Sequence, residues 1–497
     1  MVHKLPKECR RGNKNMTFAD CELTILRSAV DKIQNQTGKH LLHKADVQKI
    51  IDIVERFLKK KKRICYGGTA INNILPEEKQ FYDKSIELPD YDFFSPNPLK
   101  DAKELANIYF KEGFDETEAK SGVHGGTFKV FVNFIPVADI TFMPPPLFKK
   151  LLLESKKIDG IYYASPDYLR MAMYLELSRP KGDTSRWEKV LKRLLLLNEQ
   201  YPLQSRHCRD HEVQRMFDNP GGFEEKELFY LVRDTLIDEG VVFFGGYANR
   251  LYLRHHKAFG KYQSLKTPDF EVLSKRPKEV AEVVKKALQK QEYTNVSVVS
   301  IPGVGEIVPK GHQVRWGNER LVTIFRPLGC HSYNKKHLRN NTVNIATIDT
   351  MLSFYLAFLF ASSQEFNPER YRCLSEYLFQ VQRENRLAQQ GILKRFSINC
   401  YGDQPTLEKM RREKSQKYEE LKNKKGSKEY EWYFLRYIPA ELARWKAGKK
   451  TRRKQKTRKK SSSRKKSRSK SHKQSRRRLR RRRRRRILHR SLPGQRS

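Results

Sequence analysis

The chain has 497 residues, 102 of them Lys or Arg against 56 Asp or Glu, for a formal net charge of +46. The excess is uneven: residues 446–497 hold 28 Lys and Arg and no acidic residue, which leaves a net of +18 on the first 445. A body of that length holds two or three domains of roughly 100–200 residues each, and its apolar and aromatic content excludes a wholly disordered chain. No stretch reaches the ~18–20 apolar residues of a membrane-spanning helix; Met351–Ala361 (MLSFYLAFLFA) is too short and reads as a buried helix. The N-terminus lacks the apolar core of a secretory signal. The seven cysteines are scattered, odd in number and without a C-x-x-C, so they indicate neither a disulfide framework nor a zinc ribbon, and a reducing, intracellular setting is expected. The charge points to a polyanionic partner, with nucleic acid ahead of a membrane surface.

In chain order, a helix is expected near Phe18–Gln36, and a clearer one follows. Val47, Ile50, Ile51, Val54 and Leu58 recur at helical spacing, with Asp46 as a start signal. Then come a strand at Ile64–Tyr66, a Gly67–Gly68 turn and a helix over Thr69–Leu75. Asp90–Ser95 reads as a strand, and Pro98 opens a helix over Leu99–Lys111. After a turn at Ser121–Gly126, Phe128, Val130, Val132 and Phe134 alternate on one strand face, and Pro136–Phe142 is another strand. Residues 147–205 and 331–440 read as mostly helical.

Three features of residues 64–142 belong together. Tyr66-Gly67-Gly68-Thr69 is a glycine turn from a strand into a helix, where backbone N–H groups can approach a phosphate. Alone, such a pair is usually only a turn. Asp90 and Asp92 lie two apart in a strand and so share a face; like charges so placed repel unless cations neutralise them. Alone, they read as a solvated strand end. Asp139 sits within the apolar strand VADITF, where a buried ion needs a partner or an edge facing water. Three carboxylates on neighbouring strands beside a phosphate turn form a two-metal phosphoryl-transfer site, suited to hard Mg2+ or Mn2+ ions.

The pattern G-G-T, D-x-D and a later single Asp resembles the DNA polymerase β-like nucleotidyltransferase superfamily. YGGTAINNILP, LPDYDFFSPNPLKDAKELANIYFKEGF, VADITFMPPP and SPDYLRMAMYLELSRPKGDTSRWEKVLKRL are similar to the poly(A) polymerase catalytic subunits of large DNA viruses of the asfarvirus and mimivirus type, most strongly over about residues 64–200. The resemblance implies that Asp90 and Asp92 bind both metals, and that Asp139 binds the catalytic metal and assists deprotonation of an RNA 3′-hydroxyl. Gly67, Gly68 and Thr69 would hold the triphosphate of ATP; Thr69 stands where many superfamily members have Ser. Arg179, Lys181, Arg186 and Lys189 occupy the linker after the catalytic sheet, where they contact ATP or RNA or form a solvated basic helix face. The same likeness suggests a homodimer, a viral origin, a host-cytoplasm or viral-factory location and packaging in the virion; no membrane insertion is expected, because no apolar stretch is long enough.

The sequence also resembles itself. Phe244-Gly245-Gly246-Tyr247-Ala248 mirrors Tyr66–Ala70, and Asp269-Phe270-Glu271 mirrors Asp90-Tyr91-Asp92 at a spacing of 23 residues against 22. A helical run over Glu224–Leu236 precedes the second glycine pair. The second copy reads as inactive: Tyr247 replaces Thr69, and aligning the Phe-x-Pro ends puts Val322 opposite Asp139. Asp269 and Glu271 keep residual metal binding open. The expected architecture is therefore α/β of the α+β kind, with tandem nucleotidyltransferase-like modules, each a small mixed sheet flanked by helices. The segments are 1–45, a catalytic module with its linker at 46–210, a degenerate module at 211–330, a helical region at 331–445, and a disordered Arg/Lys/Ser-rich tail at 446–497. The tail suits a sequence-blind RNA tether, a nuclear address or a solubilising segment.

The expected activity is template-independent addition of AMP from ATP to an RNA 3′ end. The carboxylates equally suit a uridylyl-, CCA-adding or oligoadenylate-forming enzyme. A non-catalytic RNA-binding processivity subunit has no reason to keep Asp90, Asp92 and Asp139 together.

Overall fold

The computed structural model of the chain describes residues 44–82, 90–204, 208, 225–257, 270–338, 341–361, 366–445 and 473–481, with isolated positions at 22, 25, 26 and 29. The helix expected near Phe18–Gln36 falls almost wholly outside them, as does Asp269.

The first module opens with α1 (Lys44–Lys61). Its Ile50, Ile53, Val54, Phe57 and Leu58 are buried, the face that the helical spacing demands. β1 (Ile64–Cys65) runs directly into α2 (Gly67–Ile74), so both glycines lie inside the first turn of the helix. β2 (Tyr91–Ser95) and α3 (Pro98–Lys111) follow, with Pro98 at the helix start. Then come β3 (Thr117–Ser121), β4 (Thr127–Val132) and β5 (Ile135–Phe142). β4 ends two residues before Phe134: Asn133 and Phe134 form a tight turn with φ of 49° and 65°, and Phe134 is 82% exposed instead of sharing the buried face of Phe128, Val130 and Val132. α4 (Pro145–Glu154) leads to the hairpin β6 (Lys156–Ile158) and β7 (Ile161–Tyr163), an interruption of the helical stretch expected over 147–205. α5 (Pro166–Leu177) and α6 (Trp187–Gln200) complete the module.

The second module repeats this order. It contains α7 (Glu225–Asp238), β8 (Val242–Phe243), α8 (Gly246–Leu253), β9 (Phe270–Leu273) and α9 (Pro277–Lys290). β10 (Val296–Ile301), β11 (Gly311–Trp316) and β12 (Glu319–Phe325) follow. The stretch from 331 does not begin as helix. It begins as the hairpin β13 (His331–Leu338) and β14 (Asn341–Ala346), which extends the second sheet before α10 (Ile348–Phe358) and α11 (Pro368–Glu384). The alternating polar residues of SYNKKH conceal a half-buried strand that a helical reading passes over. Beyond it lie β15 (Cys400–Tyr401), α12 (Leu407–Leu421), α13 (Lys428–Phe434) and β16 (Arg436–Tyr437).

The two sheets have the same plan. One runs β16-β3-β4-β5-β2-β1-β7-β6 and the other β10-β11-β12-β9-β8-β14-β13-β15. Each strand of the core set has its counterpart, and only the added end strand differs. The duplication thus includes the β13–β14 hairpin and α10, which match β6–β7 and α5. α5 packs on α10, so the same helix of each copy forms the contact between modules. Every residue of α10 is buried, which agrees with the reading of Met351–Ala361.

One finding overturns an expectation: Cys208–Cys373 and Cys330–Cys400 are disulfides, although the cysteine spacing indicated none; residues 165 and 70 apart meet only through the tertiary fold. Of the tail, residues 473–481 are described, and they are helical and exposed; Arg is a good helix former. Among the described residues, no helix is long and apolar enough to cross a membrane.

Candidate active site

β2 and β5 pair in parallel, with Asp92 directly opposite Asp139. Strand alternation turns Asp90 to the face of Asp92. β4 pairs with the other edge of β5, and there Lys129 lies opposite Asp139. The Lys129 ammonium donates to Asp139 Oδ2, while Asp139 Oδ1 is buried with no partner. Burial pushes the Asp92 carboxyl up to about 7, reinforced by the charges of Asp90 and Asp139 and opposed by Lys129 and Arg186. Asp90, the more exposed of the pair, is pushed up to about 6, by burial and then by Asp139, with Lys129 opposing. One ammonium does not balance three carboxylates, and the site carries an uncompensated negative charge.

The glycine pair sits against this charge. Gly67 has φ +71°, and a Cβ there would collide with the Asp92 carboxylate. Only glycine lets α2 start so close to β2. Tyr66 at the helix N-cap gives no side-chain cap, so the first-turn N–H groups remain open to an anion. The Tyr66 ring stacks on Phe94 at 3.9 Å, and its hydroxyl meets Thr141 Oγ1 at 2.9 Å. Thr69 is buried, and its hydroxyl donates to the Asp90 carbonyl at 2.8 Å, which ties α2 to the start of β2.

Gly68 faces a group that sequence reading missed. A Cβ there would meet the Tyr82 hydroxyl at 2.6 Å and Arg193 Nη1 at 2.7 Å. Asn72 Oδ1 accepts from the backbone N–H groups of Phe81 (2.8 Å) and Tyr82 (2.9 Å) and so pins this segment to α2. Arg193 donates to the Tyr82 hydroxyl at 2.6 Å and lies 4.8 Å from the Phe81 ring centre. Arg193 therefore sits at the mouth of the glycine turn. It lies in the family-like stretch Ser165–Leu194, but nothing local marks a helix-face Arg more than a hundred residues away as a neighbour of the glycine turn. Lys129 was more legible: it lies on the strand face opposite to Phe128 and Val130, the face of the carboxylates.

Of the linker cations, Arg186 is exposed, bonds Glu176 at 3.3 Å and lies near enough to Asp92 to lower its pKa. Lys181 and Lys189 are exposed. Arg179 is half-buried, with its Nε beside Gly329 and without a hydrogen-bond partner among the described residues.

The second copy keeps the frame and changes the side chains. Glu271 holds the position of Asp92, and its partner in register is Thr323, not Val322. The Phe-x-Pro alignment errs by one residue because strand ends do not fix register; the β9–β12 pairing does. Across β11, Gln313 faces Thr323 as Lys129 faces Asp139. The carboxylate and its counter-ion have thus both been replaced. Glu271 is fully buried, hydrogen-bonded by the Tyr371 hydroxyl and approached by Arg370 at 3.9 Å. Tyr247 packs its ring among Phe229, Phe243 and Phe270.

The chain folds as two copies of one frame, and among the described residues only the first sets Asp92 opposite a second carboxylate, Asp139. The crystal structure of the Megavirus polyadenylate synthase has the same fold, with a TM-score of 0.70 at 19% identity over 86% of this chain and 87% of that one. Residues 52–183 match the family described as Poly(A) polymerase catalytic subunit. Two relatives carry the name "Putative poly(A) polymerase catalytic subunit". One, from Acanthamoeba polyphaga mimivirus, is 29% identical over 41% of this chain; the other, from African swine fever virus, is 34% identical over 35% of it. The matched stretch spans 35% and 38% of those relatives' own lengths, little more than a third. The likeness first read from the glycine turn and the carboxylates is borne out.

The donor set fits a hard divalent cation: carboxylate oxygens only, one of them buried and unpartnered, with mutual repulsion that a cation relieves. Asp139 is drawn to Lys129, and among the described residues no three His, Cys, Asp or Glu groups already converge as a metal cluster.

Proposed function

We propose that the chain is a template-independent polynucleotide adenylyltransferase, which transfers AMP from ATP to an RNA 3′-hydroxyl and releases pyrophosphate. The observation that carries this reading is the contrast between the copies. In the first, Asp92 faces Asp139 beside an open helix N-terminus, with Asp90 near enough to raise the Asp92 pKa, while the second has Thr323 and a sealed Glu271. The names of the viral relatives and of the structural neighbour support ATP and RNA as the substrates.

In this reading the open N–H groups of α2, with Gly67 and Gly68, bind the triphosphate, and Arg193 adds a fixed cation to it. Arg186 supplies further positive charge near Asp92. Asp90, Asp92 and Asp139 would hold Mg2+ or Mn2+, which when bound supplies charge neutralisation and Lewis acidity at the reacting phosphate. Asp139 assists removal of the 3′-hydroxyl proton, and Lys129 holds its carboxylate in line with β5. Thr69 keeps the Asp90 backbone in register with α2. The second module serves as scaffold, with its carboxylate neutralised by Tyr371 and Arg370.

The test is extension of a labelled RNA primer by the purified chain with Mg2+ or Mn2+ and each nucleoside triphosphate separately. Extension with ATP alone supports the proposal. Equal use of all four reassigns the chain to another terminal nucleotidyltransferase, and no extension refutes catalysis.

A further inference from the structure

A cavity of about 230 Å³ lies away from the carboxylates, between α6, the C-terminal end of α11 and residues 389–396. Its floor is apolar, with Leu191, Leu194 and Leu195 of α6, Phe379 of α11 and Phe396. Its walls carry Arg383, Arg386, Lys394 and Arg395 and no acidic side chain. Arg395 is committed to Asp349, at 2.7 and 2.9 Å. Arg383, Arg386 and Lys394 make no ion pair among the described residues. Gln382 also lines the cavity; its side-chain oxygen accepts from Tyr174 at 3.1 Å, and its amide nitrogen is buried without a partner.

The positive field continues past the rim. Asn385 donates to the His255 carbonyl at 3.1 Å, which brings the end of α8 to the same edge. There Arg254, His255 and Lys336 crowd together: Lys336 is lowered by burial and then by Arg254, and His255 by burial and then by Lys336 and Arg254. These groups face one another as like charges.

An apolar ligand has no use for the cations, and a small anion has none for the floor. A nucleotide unit uses both, with its base on the aromatic and leucine surface and its phosphate on the arginines. The strip of further cations suits an extended polyanion better than a free nucleotide. α6 links the cavity to the chemistry. At 100° per residue, Arg193 and the Leu191–Leu195 face lie on opposite sides of a helix about 10–12 Å thick. We propose that this cavity seats a nucleotide of the single-stranded RNA upstream of its 3′ end. This rests on the adenylyltransferase reading for the identity of the polyanion.

The experiment is equilibrium binding of labelled oligo(A) to the full chain, in chelator and without ATP, over a salt series. Arg383→Glu with Arg386→Glu raises Kd at least tenfold and lowers the log–log salt slope by about 1.4, the share of two single-strand phosphates. In parallel, oligo(A) carrying 8-azidoadenine near its 3′ end is photo-crosslinked to the unaltered chain, which needs no variant to fold. Labelling within residues 379–396 is expected. Unchanged affinity and slope with labelling elsewhere overturn the proposal. It falls equally if 8-azido-ATP labels 379–396 and oligo(A) does not compete. If the unaltered chain binds no oligo(A), the functional reading fails with it; if it binds and the variant binds equally, only this inference fails.

Discussion

Asp92→Asn should abolish nucleotide addition and stabilise the metal-free protein. Asp92 is half-buried, and its carboxyl rises from 3.8 to about 7 through burial and through Asp90 and Asp139. For a carboxyl raised in the folded state, the fold holds a proton that the unfolded chain has already lost. Its ionisation therefore costs no stability below pH ~4, and the cost grows as pH climbs to about 7. Roughly three units at about 1.36 kcal/mol each give a penalty of at most about 4 kcal/mol at pH 8, and under about 2 kcal/mol at pH 5. Asparagine keeps the shape and removes the charge. The assay is thermal unfolding in chelator at pH 5 and pH 8, then with Mn2+ added. Asp92→Asn should unfold several degrees higher at pH 8, by a smaller margin at pH 5, and Mn2+ should close the gap by stabilising the unaltered chain alone. A variant less stable at pH 8, or a gap independent of pH, would refute the claim of an uncompensated charge.

Other expectations follow from particular contacts. Arg193→Ala should raise the KM for ATP roughly 10–100-fold, the worth of one charge-assisted bond of about 1.5–3 kcal/mol. It should weaken inhibition by pyrophosphate in parallel, measured by steady-state kinetics, and leave oligo(A) affinity as it was. Dithiothreitol should lower the unfolding temperature as Cys208–Cys373 and Cys330–Cys400 open, since each bridge typically contributes about 2–4 kcal/mol; a scan unchanged by reductant contradicts the pairing. Removal of residues 446–497 should weaken RNA retention and flatten its salt dependence while single-nucleotide addition survives, read by gel shift and primer extension.

The sequence carried the frame well wherever local pattern and tertiary need agree. The apolar face of α1, the glycine start of α2 and the D-x-D of β2 each have a short-range signature, and so does their repetition in the second module. What it carried poorly depends on register or on long-range meetings. Val322 and Thr323 are adjacent, and only the pairing of β9 with β12 says which one stands opposite Glu271. The cysteines lie far apart in sequence, and no spacing rule joins them. The β13–β14 hairpin escaped because polar alternation at half-buried positions resembles a solvated segment. Arg193 and Tyr82 meet at Gly68 across 111 residues, and no local pattern joins them.

The central claim is that one of two similar modules does the chemistry. It is tested most directly by primer extension with ATP using Asp90→Ala, Asp139→Ala and Glu271→Ala chains side by side, each with oligo(A) binding measured as a control. Loss of extension in the first two with RNA binding kept, and extension retained at a folded Glu271→Ala chain, is the expected result. Extension that survives Asp139→Ala, or that fails in a folded Glu271→Ala chain as completely as in Asp90→Ala, would contradict the account.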